Sequence, residues 1–158
     1  MRIYSILASL LLISSMAFGQ SKTYTAANEG WLVSLDEAYA LSQKTGKPIM
    51  ANFTGSDWCG WCTRLTASVF SKPEFKKWAE KNVVLLELDY PKRFKLPADI
   101  QQQNANMQQS FRVTGFPTVW VFNATKDKTG NYSLQALGKT GYTPSVDEFI
   151  STVSGFIK

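Results

Sequence analysis

Apolar residues along the chain change spacing several times, and each change marks an element. Leu35, Ala38, Tyr39 and Ser42 share a helical face. Ser34-Leu35-Asp36-Glu37 gives that helix capping-box spacing, and Gly46 with Pro48 ends it. Ile49, Met50, Ala51 and Phe53 then form a short apolar run between breakers, the pattern of a buried strand. Leu65, Val69 and Phe70 return to helical spacing. Ser71-Lys72-Pro73-Glu74 is a second capping-box pattern, with proline in a first turn, and Phe75, Trp78 and Ala79 supply the next apolar face. Val83 to Leu88 is nearly continuous in apolar residues, as expected of a parallel strand covered on both sides.

A long connection follows from Tyr90 to Ser110. It begins with Pro91, Pro97 and the basic cluster Lys92-Arg93-Lys95, which reads as a solvated loop around Phe94. It continues through the amide-rich tract Gln101 to Gln109, where Ile100, Met107 and Phe111 predict a mostly exposed helix. Thr118 to Phe122 is aromatic and β-branched, Lys126 to Gly130 reads as a turn, and Tyr132 to Leu137 as the returning strand of a hairpin. Thr143-Pro144 opens a last helix, with Val146, Phe149, Ile150, Val153, Phe156 and Ile157 on one face. No internal repeat is visible.

Composition changes this picture little. The 158 residues are 44% hydrophobic and 13% aromatic, which suits one globular domain and excludes a disordered or fibrous chain. The beginning is different. Arg2, the apolar stretch Ile6 to Ile13 and the small residues ending at Gly19 have the layout of a signal peptide, so residues 1–19 are expected to be removed and 20–158 to form the domain. The apolar run is too short for a membrane anchor, and no stable membrane insertion is expected after cleavage. Losing Arg2 leaves a net charge of about +4. The basic cluster is too narrow, and lacks a recognised motif, to predict nucleic-acid binding.

The chemistry gathers in Trp58-Cys59-Gly60-Trp61-Cys62, which holds the only two cysteines. A strand leads to it through Gly55-Ser56-Asp57. If a helix starts there, its unpaired N–H groups and dipole favour a thiolate on Cys59, the attacking form in disulfide exchange. Cys62, one turn further on, can then resolve a mixed disulfide. A disulfide that only staples the domain is the plainer reading, but so small a loop removes little unfolded-chain entropy. No cofactor or metal is expected: the chain has no histidine, two cysteines do not complete a zinc site, and Thr63 stands where haem attachment needs histidine. Copper delivery by the two thiols is the remaining metal reading.

The element order, with Trp58-Cys59-Gly60-Trp61-Cys62 and Gly115-Phe116-Pro117-Thr118, resembles the thioredoxin fold over residues 31 to 158. That implies an α/β architecture with a central mixed β-sheet flanked by helices, here carrying an extended loop/helix insertion around 90–110. More narrowly, Phe53 to Cys62 together with Tyr90-Pro91 and Lys95-Leu96-Pro97 is similar to secreted bacterial thioredoxin-like proteins, which implies a periplasmic location. The resemblance implies thiol–disulfide exchange with protein substrates and an unidentified redox partner, with Cys59 and Cys62 catalytic. It implies a cis bond at Phe116–Pro117 and a substrate groove formed by Trp58, Gly60, Trp61, Phe116 and Pro117. It also places Asn52 where the family keeps a buried acid and Leu85 where it keeps a lysine. The alternative is a non-catalytic peptide-binding module with a structural or regulatory disulfide, and neither oligomeric state nor direction of electron flow can be read.

Overall fold

The computed structural model describes residues 24–157, so the expected signal peptide lies outside the described residues. Nine regular elements follow in order: α1 (Leu35–Thr45), β1 (Ile49–Thr54), α2 (Gly60–Leu65), α3 (Pro73–Asn82), β2 (Val84–Asp89), α4 (Ala98–Ser110), β3 (Thr118–Lys126), β4 (Tyr132–Thr140) and α5 (Val146–Ser154), with a π-helical turn at Thr66–Phe70 between α2 and α3. The strands form one mixed sheet in the order β2-β1-β3-β4. β1 runs parallel to β2 and antiparallel to β3, and β3 and β4 make the hairpin. This is the thioredoxin fold expected from the sequence.

Local chemistry accounts for most boundaries. The Ser34 hydroxyl accepts the Glu37 N–H at 3.3 Å, and Gly46 closes α1 in the left-handed region at φ 71°. The second capping box does not form. Lys72 is the N-cap of α3 without a side-chain bond, while the Ser71 hydroxyl donates to the Ala67 carbonyl at 3.1 Å. The cause is the π turn, whose widened loop ends on the Ser71 N–H donating to the Thr66 carbonyl at 2.9 Å. The same widening turns Val69 and Phe70 inward together, so both are buried. β4 runs past the expected Leu137 because a bulge, opposite Val121 and Phe122, absorbs an extra residue. Gly138 is needed there, since a Cβ at that position would lie 2.4 Å from the Phe156 ring. α5 begins after Ser145 rather than at Thr143-Pro144, with the Ser145 hydroxyl accepting the Glu148 N–H at 3.4 Å.

Two cores lie on either side of the sheet. Ile49, Ala51, Phe53, Val84, Leu86 and Leu88 pack with α1 and α4, while Met50, Val119 and Val121 pack with the α2–α3 segment and α5. The lead-in, residues 24–34 ahead of α1, is docked rather than loose. Leu32 forms a parallel bridge to Leu86, donating its N–H to the Leu85 carbonyl at 3.0 Å and accepting the Glu87 N–H at 2.8 Å. α4 is tied down by one buried amide in its exposed tract: Asn104 donates to the Asp89 carbonyl at 2.9 Å, and its own carbonyl accepts the Tyr90 hydroxyl at 2.7 Å.

Candidate active site

β1 delivers the chain to the cysteines through a tight turn. The Gly55 carbonyl accepts the N–H groups of Trp58 at 3.2 Å and Cys59 at 2.8 Å. A Cβ on Gly55 would stand 2.4 Å from the Trp58 indole, so the glycine lets that ring fold back over the turn. Cys59 has extended backbone (φ −88°, ψ 99°) and is the N-cap of α2. Its Sγ accepts the Cys62 N–H at 3.2 Å, the position from which a helix end steadies negative charge on sulfur. α2 passes directly into the π turn, so the cap stands at the head of a longer helical segment. Cys59 and Cys62 are joined as a disulfide with Cα atoms 5.2 Å apart. Cys59 is 7% exposed and Cys62 4%, so in the oxidised state both sulfurs are sheltered, while Gly60 between them is open to solvent.

An aromatic rim surrounds this pair. Trp58 is 39% exposed and Trp61 53%. The Trp58 indole N–H donates to the Tyr90 carbonyl at 2.8 Å, and its ring meets Phe116 edge-on with centroids 5.8 Å apart. Tyr90 packs on the other side of Phe116 at 5.1 Å. Phe116–Pro117 is a cis peptide bond, and both residues are half-buried. The structure thus gathers Trp58 of the motif with Tyr90 and the Phe116–Pro117 segment. Trp61 packs instead on Tyr142, tilted against it at 5.0 Å. Tyr142 has no regular spacing or motif to single it out in the sequence.

The basic loop is fastened to the same site. The Asp57 carboxylate accepts the Lys92 N–H at 3.0 Å and the Arg93 N–H at 2.6 Å. Its small desolvation opposes ionisation, but these amides outweigh it and hold the carboxyl below its usual range.

Beneath the pair the polar chemistry differs from the expected arrangement. Asn52 is buried on β1, and its Oδ1 has no hydrogen-bond partner among the described residues. Its neighbour in register on β2 is Glu87, whereas Leu85 stands beside Met50. Glu87 is 1% exposed and accepts three N–H bonds from the lead-in: Ala27 N at 2.6 Å, Asn28 N at 3.1 Å and Asn28 Nδ2 at 2.6 Å. Burial is the largest influence on Glu87, and it raises the carboxyl above its usual range although those three donors oppose it. Asp89, two residues on, accepts the Ser56 N–H at 2.8 Å and the Ser56 hydroxyl at 2.6 Å. Burial, then the charges of Asp89 and Glu87, raises the Tyr24 hydroxyl. A cavity of about 150 Å³ opens beside Cys62, lined by Asn28, Thr54, Ser56, Thr63 and Thr66. Asn28 therefore joins the Glu87 carboxylate to the chamber that Cys62 faces. The sequence does carry a signal for Glu87: it is the one charge inside the Val83–Leu88 run, and a charge in a strand covered on both faces must be met by donors.

A helix-capping cysteine bonded to its partner one turn on, with Trp58 of the same motif packed on the residue before a cis-proline, defines a thioredoxin-fold CxxC site. A family model described as thioredoxin-like matches residues 30–124, and the chain belongs to that family. The disulfide bond reductase DsbH of Chlamydia pneumoniae is 32% identical over 127 residues, covering 80% of this chain and 76% of its own. The thioredoxin-related protein DsbJ of the same organism is 29% identical over 71% of this chain, a match spanning 32% of DsbJ. The solved structure of a DsbH oxidoreductase superposes with a TM-score of 0.69 at 30% identity, covering 88% of this chain and 94% of that one. A thioredoxin from Thermus thermophilus shares the fold, with a TM-score of 0.56 at 21% identity over 78% of this chain and 83% of its own.

Proposed function

We propose that the protein is a thiol–disulfide oxidoreductase acting on polypeptides through Cys59 and Cys62, exported to the periplasm after loss of residues 1–19. The observation that carries this is the Cys59 sulfur at the helix cap, receiving the Cys62 N–H at 3.2 Å and bonded to the Cys62 sulfur. In the reducing direction the Cys59 thiolate attacks one sulfur of a substrate disulfide. A Cys59–substrate bond forms, and the other substrate sulfur leaves as a thiolate that takes up a proton. Cys62 then gives up its proton and attacks the Cys59 sulfur, restoring the internal disulfide and freeing the second substrate thiol. Two electrons and two protons pass to the substrate. The kinship with a protein named a disulfide bond reductase favours this direction. Trp58, Gly60, Trp61, Phe116 and Pro117 would form the surface on which the substrate segment lies. The leader-like pattern at 1–19 and a disulfide in the folded chain support a compartment where disulfides persist.

The test is a trap. With Cys62→Ser, Cys59 should collect mixed disulfides with proteins in a periplasmic extract, released by dithiothreitol, and the wild type should reduce insulin. The potential of the pair against glutathione should fall nearer ~−270 mV than ~−120 mV, as in reducing rather than oxidising members of the fold. A second reading, a binding module with an idle disulfide, draws on Asn52 standing where an acid is expected to serve Cys62. It predicts no adducts and no turnover in the same assays.

A further inference from the structure

Each of the two exposed tryptophans of the motif carries a cation. The Lys92 ammonium lies 4.0 Å from the centre of the Trp58 ring, and the Arg64 guanidinium 4.6 Å from that of Trp61. The two come from different elements: Arg64 from α2 and Lys92 from the loop after β2. Asp57, the one acid in the approach to the motif, turns its carboxylate to the Lys92 and Arg93 amides, which holds the basic loop at the rim. The ion pairs among the described residues are Lys76–Glu29 and Lys126–Asp36, so Arg64, Lys92 and Lys95 have no carboxylate at ion-pair distance, and the cations outnumber the single Asp57 carboxylate, whose charge Arg93 shares. Side chains of one sign around an apolar surface raise the encounter rate of oppositely charged partners and reject like-charged ones.

We infer that this rim selects polypeptides whose reacting cysteine is flanked by acidic side chains. An extended segment advances ~3.3 Å per residue, so carboxylates two or three residues to either side of the cysteine stand roughly 7–10 Å from it along the segment. The aromatic rings supply the apolar contact, and the cation resting on each supplies the charge. The inference deepens the proposed exchange activity and rests on it for the reaction, though not for the binding preference.

Three disulfide-linked peptides, identical but for Glu, Gln or Lys at the two flanking positions, provide the test. With the reduced protein at low ionic strength, the second-order rate constants should rank Glu, then Gln, then Lys, with about tenfold or more between the extremes. The ratio should shrink toward unity at ~0.5 M salt. In the Arg64→Gln/Lys92→Gln variant the Glu-to-Lys ratio should also approach unity. Because the ratio is taken within each protein, any change in Cys59 acidity cancels. Equal rates in the wild type, or a ratio that survives the double substitution, would overturn the inference. Neutral 2-hydroxyethyl disulfide separates the two ideas, since failure to react with it counts against the exchange activity itself. Binding of the same peptides with serine for cysteine, read by tryptophan emission of the oxidised protein, tests the preference without chemistry. Glu peptide should bind at least about fivefold tighter than Lys peptide, and equal affinities refute the preference. So does a single-stranded DNA of equal charge that quenches as strongly, because the rim would then read any polyanion.

Discussion

The two faces of β1 and β2 are built from alternate residues of the same strands, yet they differ sharply. Toward α1 and α4 stand Ile49, Ala51, Phe53, Val84, Leu86 and Leu88, all apolar and all buried. Toward the cysteines stand Met50, Asn52 and Thr54 beside Leu85, Glu87 and Asp89, apolar at one end and polar at the other. Polar groups enter only as the strands approach the disulfide. One face supplies stability. The other gives up part of the same burial to place hydrogen-bonding groups beneath a reacting sulfur, and the lead-in segment supplies the donors for one of them, Glu87.

The largest break in this contrast should come from Leu86→Ala. Leu86 is fully buried on the apolar face, so truncation should cost about 2–5 kcal/mol, read from the denaturant midpoint. Exchange by the folded fraction should stay within about threefold of wild type, because Leu86 faces away from the sulfurs. The opposite experiment adds charge to the polar face. Asn52→Asp would place a second carboxyl beside Glu87 on the neighbouring strand, ~4.8 Å away in backbone spacing. Two buried carboxylates so close cannot both ionise cheaply, so the variant should lose about 2 kcal/mol or more at pH 7 and recover much of it near pH 5. No recovery on acidification would show that the two side chains do not share a site.

At the edge where the faces meet the rim, Gly55→Ala separates packing from chemistry. Its Cβ would meet the Trp58 indole at 2.4 Å, and the ring must swing away from Phe116. Stability should fall by about 1–3 kcal/mol, the usual cost of overpacking. Exchange with peptides should slow more than exchange with a small neutral disulfide. Equal slowing would place Trp58 outside the substrate surface.

The same contrast governs what could be read from the chain. β1, the CxxC turn and the Gly115–Thr118 approach are local patterns, each set by breakers and periodicity within about ten residues. α1 and its cap follow for the same reason. What escaped was long-range or polar. Glu87 finds Ala27 and Asn28 some 60 residues away, and Asn104 reaches the Asp89 carbonyl from within a tract that looks wholly exposed. The π turn escaped too, because Leu65, Val69 and Phe70 fit an ordinary helical face until the backbone shows that the last two turn inward together. Arg64 and Lys92 lie 28 positions apart and become one rim only when Asp57 fastens the loop to the motif.

Glu87 itself offers the finest probe. Burial raises its carboxyl in the folded protein above the unfolded value of about 4.3. A group raised on folding binds its proton more tightly in the native state, so its stabilising contribution is full below that unfolded value. It is lost as pH rises through the folded value. Glu87→Gln removes this titration while keeping an acceptor for either Ala27 or Asn28, and the lost bond is a pH-independent offset. The stability of wild type minus that of Glu87→Gln should therefore decline as pH rises above about 4.3 and level off once the folded value is passed, by chemical denaturation at matched ionic strength. Asp36, which the Lys126 and Tyr132 hydrogen bonds hold below its usual range, titrates identically in both proteins and cancels in the difference. A gap that widens with pH would mean that the three N–H donors, rather than burial, set the state of this carboxylate. Glu87 would then be an ionised anchor for the lead-in at every pH where the protein folds.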